Sequence, residues 1–285
     1  MRDKQPHGRD AQIDFDFFKY IVLQMVNEGV KEIGLFYLGE SFSAFKLLHK
    51  AVRYCKNIGV EYVFLTSNGT LAFQDRVALL MEAGLDSLKW SVNCADPKQY
   101  HEVTGVSPEL FWKQLKNIHD AWDIREEVGY STKLYASSIR YDGEQHERMQ
   151  DTIGRYVAPF VDEHYWLPLY GMAMTAKRMQ EDTGWTPNLG NIGRYDESMG
   201  TGNRHDQPVC WSAFTEGHVR SDGHMSACCF GATDRFDVGD LAEQSFMEAW
   251  NSPAYQAIRE AQLRYAVGEK DALKGTMCEV CVAYE

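Results

Sequence analysis

The stretch that decides the fold begins Glu61-Tyr-Val-Phe-Leu-Thr66, passes through Ser67-Asn68-Gly69, continues over residues 72–83 to Gly84, and ends Leu88-Lys-Trp-Ser-Val92. The outer pieces are short, apolar and rich in β-branched and aromatic residues, which predicts buried strands. The piece between them reads as a helix that Gly84 closes. Small polar residues stand where the first strand ends, as loops favour.

The same unit repeats on both sides. Upstream, Lys31-Glu-Ile-Gly-Leu-Phe-Tyr-Leu38 predicts a strand, Gly39-Glu40-Ser41 follows its C-terminal end, and residues 44–57 predict a helix through Phe45, Leu47, Leu48, Ala51 and Val52. Earlier still, Asp14 or Asp16 caps a helix running to about Glu28, with Phe17, Phe18, Ile21, Val22, Met25 and Val26 at helical spacing. Downstream, a helix is expected from Pro108 to about Trp122, a strand over Lys133–Ile139, a helix over residues 144–157 and a strand from Val161 to Leu169. Alternating β and α elements with short connections predict a parallel sheet covered by helices. Over residues 14–170 this makes an α/β fold, a partial or complete TIM-like (β/α) barrel or a doubly wound sheet. A site would form just past the strand ends, where Glu40, Ser67, Asn68, Ser91, Asn93, Ser137, Ser138 and Arg140 stand. Ordinary loop composition also accounts for any one of these.

Residues 1–13 are polar and read as an arm or severed linker. Residues 171–207, rich in Gly, Asn, Thr, Asp and Arg, break the alternation and read as a linker or excursion. The last segment, 208–285, has a different texture and is expected to be a small Cys-rich α+β module. Cys210 stands alone, Cys228 and Cys229 are adjacent, and the chain closes on Cys278-Glu-Val-Cys281. A C-x-x-C pair places two thiolates on one turn, and two cysteines from distant turns complete a four-sulfur shell. Soft thiolates select zinc or an iron–sulfur cluster. A disulfide or scattered buried thiols are the bland alternatives. Between the cysteines, Ala213–Ala227 predicts a hairpin turning at Ser221-Asp222-Gly223, and Phe246–Gln262 predicts an amphipathic helix that Pro253 divides. His218 and His224 lie within the module and would permit a mixed Cys/His zinc shell, although they suit a hairpin surface better.

The net charge of −12 argues against nonspecific nucleic-acid binding and against an anionic membrane surface. The sequence holds no apolar run long enough for a membrane span, and its N-terminus is polar. Seven cysteines, an odd count, fit a reducing cytoplasm better than a disulfide framework.

Taken in order, these motifs resemble the radical S-adenosylmethionine (radical SAM) family. Leu38-Gly39-Glu40-Ser41 is similar to its Gly-Gly-Glu-Pro element, and Thr66-Ser-Asn-Gly69 to its Thr-Asn-Gly strand end. The stretch Leu88–Gly105 is similar to the segment after the family's fourth strand. Cys210, Gly223-x-x-x-x-Cys228, Val238-Gly-Asp-Leu241, Glu248-Ala-Trp-Asn251 and Cys278-x-x-Cys281 resemble the SPASM or shorter Twitch module, which carries an auxiliary iron–sulfur cluster. The resemblance implies a radical SAM-type partial barrel with S-adenosylmethionine held by Gly39, Glu40, Asn68, Ser91, Ser137 and Arg140. Glu40 would take the methionyl ammonium, and Ser137 and Arg140 the carboxylate. It implies one auxiliary [4Fe–4S] cluster on Cys210, Cys228, Cys278 and Cys281, with Cys228 preferred over Cys229 only by its spacing from Gly223. Tyr135, Tyr165, Trp166 and Tyr170 are candidates to line the cavity, or are core aromatics.

The family's catalytic [4Fe–4S] cluster is held by C-x-x-x-C-x-x-C, which these 285 residues do not contain. That cluster is expected only with a further N-terminal segment, so the chain reads as truncated or degenerate. The resemblance further implies a peptide or small sugar-like substrate and an electron donor such as a flavodoxin or ferredoxin. Two other readings stay open. One is a noncatalytic scaffold with a structural four-cysteine site. The other is an unrelated barrel hydrolase or isomerase with a zinc-ribbon tail.

Overall fold

A computed structural model of the chain describes residues 12–141, 143–168, 209–229 and 237–279. Helix α1 (Phe15–Asn27) starts where the Asp14 carboxylate accepts the Phe17 N–H at 2.9 Å. Five strands follow: β1 (Glu32–Gly34), β2 (Tyr62–Ser67), β3 (Ser87–Ser91), β4 (Lys133–Arg140) and β5 (Glu163–Pro168). They form one sheet in sequence order, and every neighbouring pair is parallel. The crossovers are α2 (Phe45–Asn57), α3 (Gln74–Glu82), α4 (Pro97–Thr104) with α5 (Glu109–Val128), and α6 (Gly143–Tyr156). This is the α/β partial barrel expected from the alternation.

Register sorts the side chains by face. Leu65, Leu88, Trp90, Leu134 and Ala136 lie in neighbouring registers on one face, buried with the apolar residues of the crossover helices. The opposite face carries Thr66, Lys89, Ser91, Tyr135, Ser137 and Tyr165. Closed barrels fill their interior with branched apolar side chains; this inner face instead presents hydroxyls and one lysine, whose Nζ stands 5.8 Å from the centre of the Tyr165 ring. Trp166 belongs to the helix side, edge-on to His146 of α6 at 5.0 Å and to His164 at 4.9 Å. It does not line the inner face with Tyr135 and Tyr165. Tyr170 lies outside the described residues.

Beyond residue 208, the described residues form a smaller unit: α7 (Ser212–Thr215), an antiparallel sheet of β6 (His218–Val219), β7 (His224–Ser226) and β8 (Asp237–Asp240), then α8 (Phe246–Trp250) and α9 (Pro253–Ala266). Helix α1 joins the two cores. Phe18 and Val22 are buried in the sheet's core, and Phe17 and Ile21 in the core of the smaller unit with Met225, Val238, Leu241 and Tyr255. The seam is close. Gly223 has φ +94, and a Cβ there would stand 2.7 Å from the Phe17 ring. Gln24 Oε1 accepts the Phe246 N–H across the same seam at 3.0 Å.

Several bounds differ from those expected. The strand predicted over 31–38 ends at Gly34. The Leu35 N–H still reaches Phe64 O at 2.9 Å, after which the chain turns and Tyr37 donates to Cys228 O at 3.1 Å. Helix α4 is the one that the resemblance over Leu88–Gly105 implies, ending at Gly105; Asp96 caps it at Gln99 N and Pro97 opens it. Helix α5 runs to Val128, past Trp122. Pro253 divides the C-terminal helical stretch as expected, beginning a second helix with Ser252 accepting the Tyr255 N–H at 3.2 Å. The expected arm over 1–13 and linker over 171–207 fall almost wholly outside the described residues. No helix among the described residues is long and apolar enough to cross a membrane.

The seam gives a direct test. Gly223→Ala both strains a positive-φ position and pushes a methyl into Phe17, so it should cost about 1–3 kcal/mol of stability. Urea unfolding of the two chains should show a lower midpoint for the variant, and an unchanged midpoint would mean the seam yields freely.

Candidate functional site

The two ends of the parallel sheet differ in how their charges are used. At the strand starts, acids are consumed by structure. Asp86 accepts Lys56 Nζ at 2.8 Å and the Val63 N–H at 2.7 Å. Asp162 pairs with the buried Arg125 and accepts the Leu134 N–H at 2.7 Å. At the C-terminal ends, where parallel α/β sheets place their ligands, the groups are polar and partly open.

Glu40 organises that end. Its Oε1 accepts the Ser67 hydroxyl at 2.8 Å and the Phe42 N–H at 3.2 Å, and its Oε2 accepts the Asn68 N–H at 2.9 Å. One carboxylate therefore caps the 3-10 turn Ser41–Ala44 and ties the exit of β1 to the exit of β2. A carboxylate has about four acceptor positions, so one further donor can be taken. The Asn68 side chain is turned back onto Thr70, accepting its N–H at 3.0 Å and its hydroxyl at 2.7 Å. Gly39 is exposed, and nothing lies within 4 Å of where its Cβ would stand, so that backbone faces open space.

Ser91 ends β3 on the inner face, in register with the buried Ser137, which in turn aligns with Tyr165. Ser138 points the other way, its hydroxyl 3.0 Å from His164 Nε2. Arg140 closes β4, exposed and with no carboxylate partner among the described residues. Asn93 contributes its carbonyl to the Tyr141 hydroxyl at 2.6 Å. Gly39, Glu40, Asn68, Ser91, Ser137 and Arg140 thus all stand at one end of the sheet.

Sequence reading missed the residues that hold this end in place. Gln114 of α5 donates its amide to Asn68 O at 2.5 Å and to Ser91 O at 2.8 Å, and Asn117 donates to Gly69 O at 2.7 Å. Both amides are buried. The available signal was two amides three residues apart on a helix face shared with Leu115 and Ile118.

The module's cysteines are distinct from those of the barrel. Cys55 and Cys94 are buried, and burial pushes both thiols up to about 12, so they are inert core residues. Cys210, Cys228 and Cys278 are half-buried, and Cys229 is exposed. Cys210 N–H donates to Gln262 Oε1 of α9 at 3.2 Å, Cys228 follows β7, and Cys278 packs against the module core. No three Cys, His, Asp or Glu side chains among the described residues converge into a metal cage; Cys281 lies outside those residues. Soft thiols from three segments of one small module are the donor type that a thiolate-held cluster uses. A buried guanidinium nitrogen of Arg259, with no partner among the described residues, lies in the same core. His218 stacks near Tyr37, with ring centres 5.4 Å apart, and His224 lies 3.3 Å from Asp222.

Residues 210–282 match the SPASM family, an iron–sulfur cluster-binding domain. Relatives by sequence include a probable GTP 3',8-cyclase from Pyrobaculum aerophilum, 39% identical over 79 residues. That match covers 28% of this chain and 24% of the relative. Another is a GTP 3',8-cyclase from Tolumonas auensis, 32% identical over 127 residues, covering 44% of this chain and 35% of the relative. The chain thus aligns with a third or less, or little more, of those proteins' length. Among solved structures, Streptococcus suis SuiB superposes with a TM-score of 0.60 at 18% identity, covering 89% of this chain and 63% of SuiB. The protein anSMEcpe with bound AdoMet superposes with a TM-score of 0.57 at 16% identity, covering 88% and 75%. In fold, the chain joins the α/β partial barrel shared with these structures to a small module that matches the SPASM family.

The hairpin that carries Cys228 is clasped by charge. Arg220 meets Asp237 in a fork, with 2.6 and 2.8 Å contacts, and also reaches Asp222 at 3.3 and 3.4 Å. Burial pushes the Asp222 carboxyl up, but the His224 N–H and Arg220 outweigh it and hold it below its ordinary value. A carboxylate with a lowered folded pKa stabilises fully above the ordinary aspartate range, ~3.9, and loses that contribution as pH falls through the folded value. The wild type should therefore lose stability between about pH 5 and pH 2 more steeply than Asp222→Asn, read as urea midpoints across that window. Parallel curves would remove Asp222 from the clasp.

Proposed function

We propose that this chain is the S-adenosylmethionine-binding and auxiliary-cluster part of a radical SAM enzyme. The observation that carries this is the gathering of Glu40, Asn68, Ser91, Ser137 and Arg140 at the C-terminal end of a parallel sheet whose fold is shared with AdoMet-bound anSMEcpe. In this reading, Glu40 takes the ligand's ammonium with its spare acceptor position, and Arg140 and the serines take its carboxylate. The open space over Gly39 admits the methionyl part. Cys210, Cys228, Cys278 and Cys281 hold one [4Fe–4S] cluster. The bound cofactor supplies the radical, and the protein positions the substrate and shields the intermediate. The C-x-x-x-C-x-x-C of a catalytic cluster is not among these 285 residues.

The substrate is a peptide or a small sugar-like molecule lying against the inner face, and the electron donor is a flavodoxin- or ferredoxin-type protein in the cytoplasm. A second reading, a noncatalytic scaffold with a structural zinc or iron–sulfur site, draws support from Glu40, whose three protein donors suit a purely structural acid.

Two measurements separate these readings. Anaerobic reconstitution should yield about four irons and four sulfides per chain, lost in Cys278→Ala, as a cysteine-held [4Fe–4S] site requires; stoichiometric zinc without sulfide favours the scaffold. Calorimetric titration of the reconstituted chain with S-adenosylmethionine should show binding that Arg140→Ala weakens about 10- to 100-fold, the loss of a charge-assisted contact worth ~1.5–3 kcal/mol. Equal affinities in the two chains would take Arg140 out of the site.

A further inference from the structure

Arg259 lies on α9 with only 9% of its surface exposed. Its Nε donates to Ala213 O and its Nη1 to Trp250 O, each at 2.8 Å. The guanidinium carbon stands 4.0 Å from the centre of the Tyr255 ring and 4.3 Å from that of Trp250. Its Nη2 is buried without a hydrogen-bond partner among the described residues, and no carboxylate there comes within ion-pair distance. Carbonyl oxygens and ring faces offset part of a buried positive charge. They do not neutralise it, and a buried cation normally demands a counter-anion.

The neighbourhood of Arg259 identifies a source of negative charge. Tyr255, Arg259 and Gln262 lie at i, i+4 and i+7 on α9, one buried stripe. Gln262 accepts the N–H of Cys210, and the Ala213 carbonyl held by Arg259 lies three residues beyond that cysteine. Tyr255 donates its hydroxyl to Glu216 O at 2.5 Å. Ala227, the residue before Cys228, is buried in the same core as Tyr255. Cys278 packs against the core that contains Tyr255 and Ile258. Cysteine-bearing segments from three parts of the chain therefore meet α9 or the core it enters. A metal centre held by four thiolates carries net negative charge.

We propose that Arg259 is the buried counter-cation of the module's cysteine-held cluster, stabilising the assembled centre and raising its reduction potential. The inference rests on the reading of the module as an iron–sulfur site. It makes Arg259 a positioning and tuning residue, not a ligand. A positive charge beside the cluster favours the form with one more electron, so neutralising it shifts the equilibrium toward the oxidised form.

The test is a redox titration, followed by electron paramagnetic resonance, of the reconstituted 285-residue chain, with Arg259→Met and Arg259→Lys alongside. Arg259→Met keeps the bulk and removes the charge. It should weaken reduction about 10-fold, a midpoint lower by about 59 mV for one electron. Arg259→Lys keeps the charge and should hold the midpoint near that of the wild type. A folded Arg259→Met with unchanged midpoint overturns the proposal, as does an Arg259→Lys that shifts with it. If Arg259→Met does not fold, a folded Arg259→Lys with wild-type midpoint supports the proposal, and loss of fold in both assigns Arg259 to packing and overturns it. A wild-type chain that takes up no iron and sulfide marks the failure of the cluster reading itself, distinguishable from failure of the inference by the iron and sulfide assay.

Discussion

The structure depends on one helix with two apolar faces. α1 must bury Phe18 and Val22 against the sheet and Phe17 and Ile21 against the module, and it can do so because these residues fall at i, i+1, i+4 and i+5. A helix with one buried stripe would leave the module undocked. With both stripes covered, the C-terminal end of the sheet and the cysteine hairpin are fixed relative to each other. Close packing leaves little slack, since even a methyl group on Gly223 would meet Phe17.

The sheet shows how chemistry is divided between its ends. Asp86 and Asp162, at the strand starts, are matched to Lys56 and Arg125 and to strand N–H groups. At the other end, Glu40 bonds only uncharged protein donors and Arg140 has no acidic partner among the described residues. Polarity alone does not mark a site, because loops are polar anyway. Groups positioned by buried amides such as Gln114 and Asn117, with hydrogen-bonding capacity left over, are a more selective mark.

The alternation of strands and helices was legible because short apolar runs rich in β-branched and aromatic residues mark strands, and helices need a 3.6-residue stripe. The module was legible from its cysteines. What sequence could not convey were features set by tertiary contact. The predicted strand over 31–38 keeps its apolar pattern to Leu38, yet pairing stops at Leu35 because Tyr37 is drawn toward Cys228. Which of Ser137 and Ser138 faces inward is a matter of register, and a one-residue shift reverses it. The candidate ligand residues stand together at one end, as the motif order implied, although their partners on α5 carried no local signature.

The loop from Leu35 to Glu40 is bolted down at three points. Leu35 is held to Phe64 at its start, Glu40 to Ser67 and Asn68 at its end, and Tyr37 to the Cys228 carbonyl midway. Three fixings determine a plane, so the loop has no free hinge. Tyr37 is the only one of the three whose far end belongs to the module, and burial keeps its hydroxyl protonated, raising it to about 12, so the bond survives across the physiological pH range. The platform beside Glu40 is thus levelled partly from the other unit, and tilting the hairpin would tilt the platform with it.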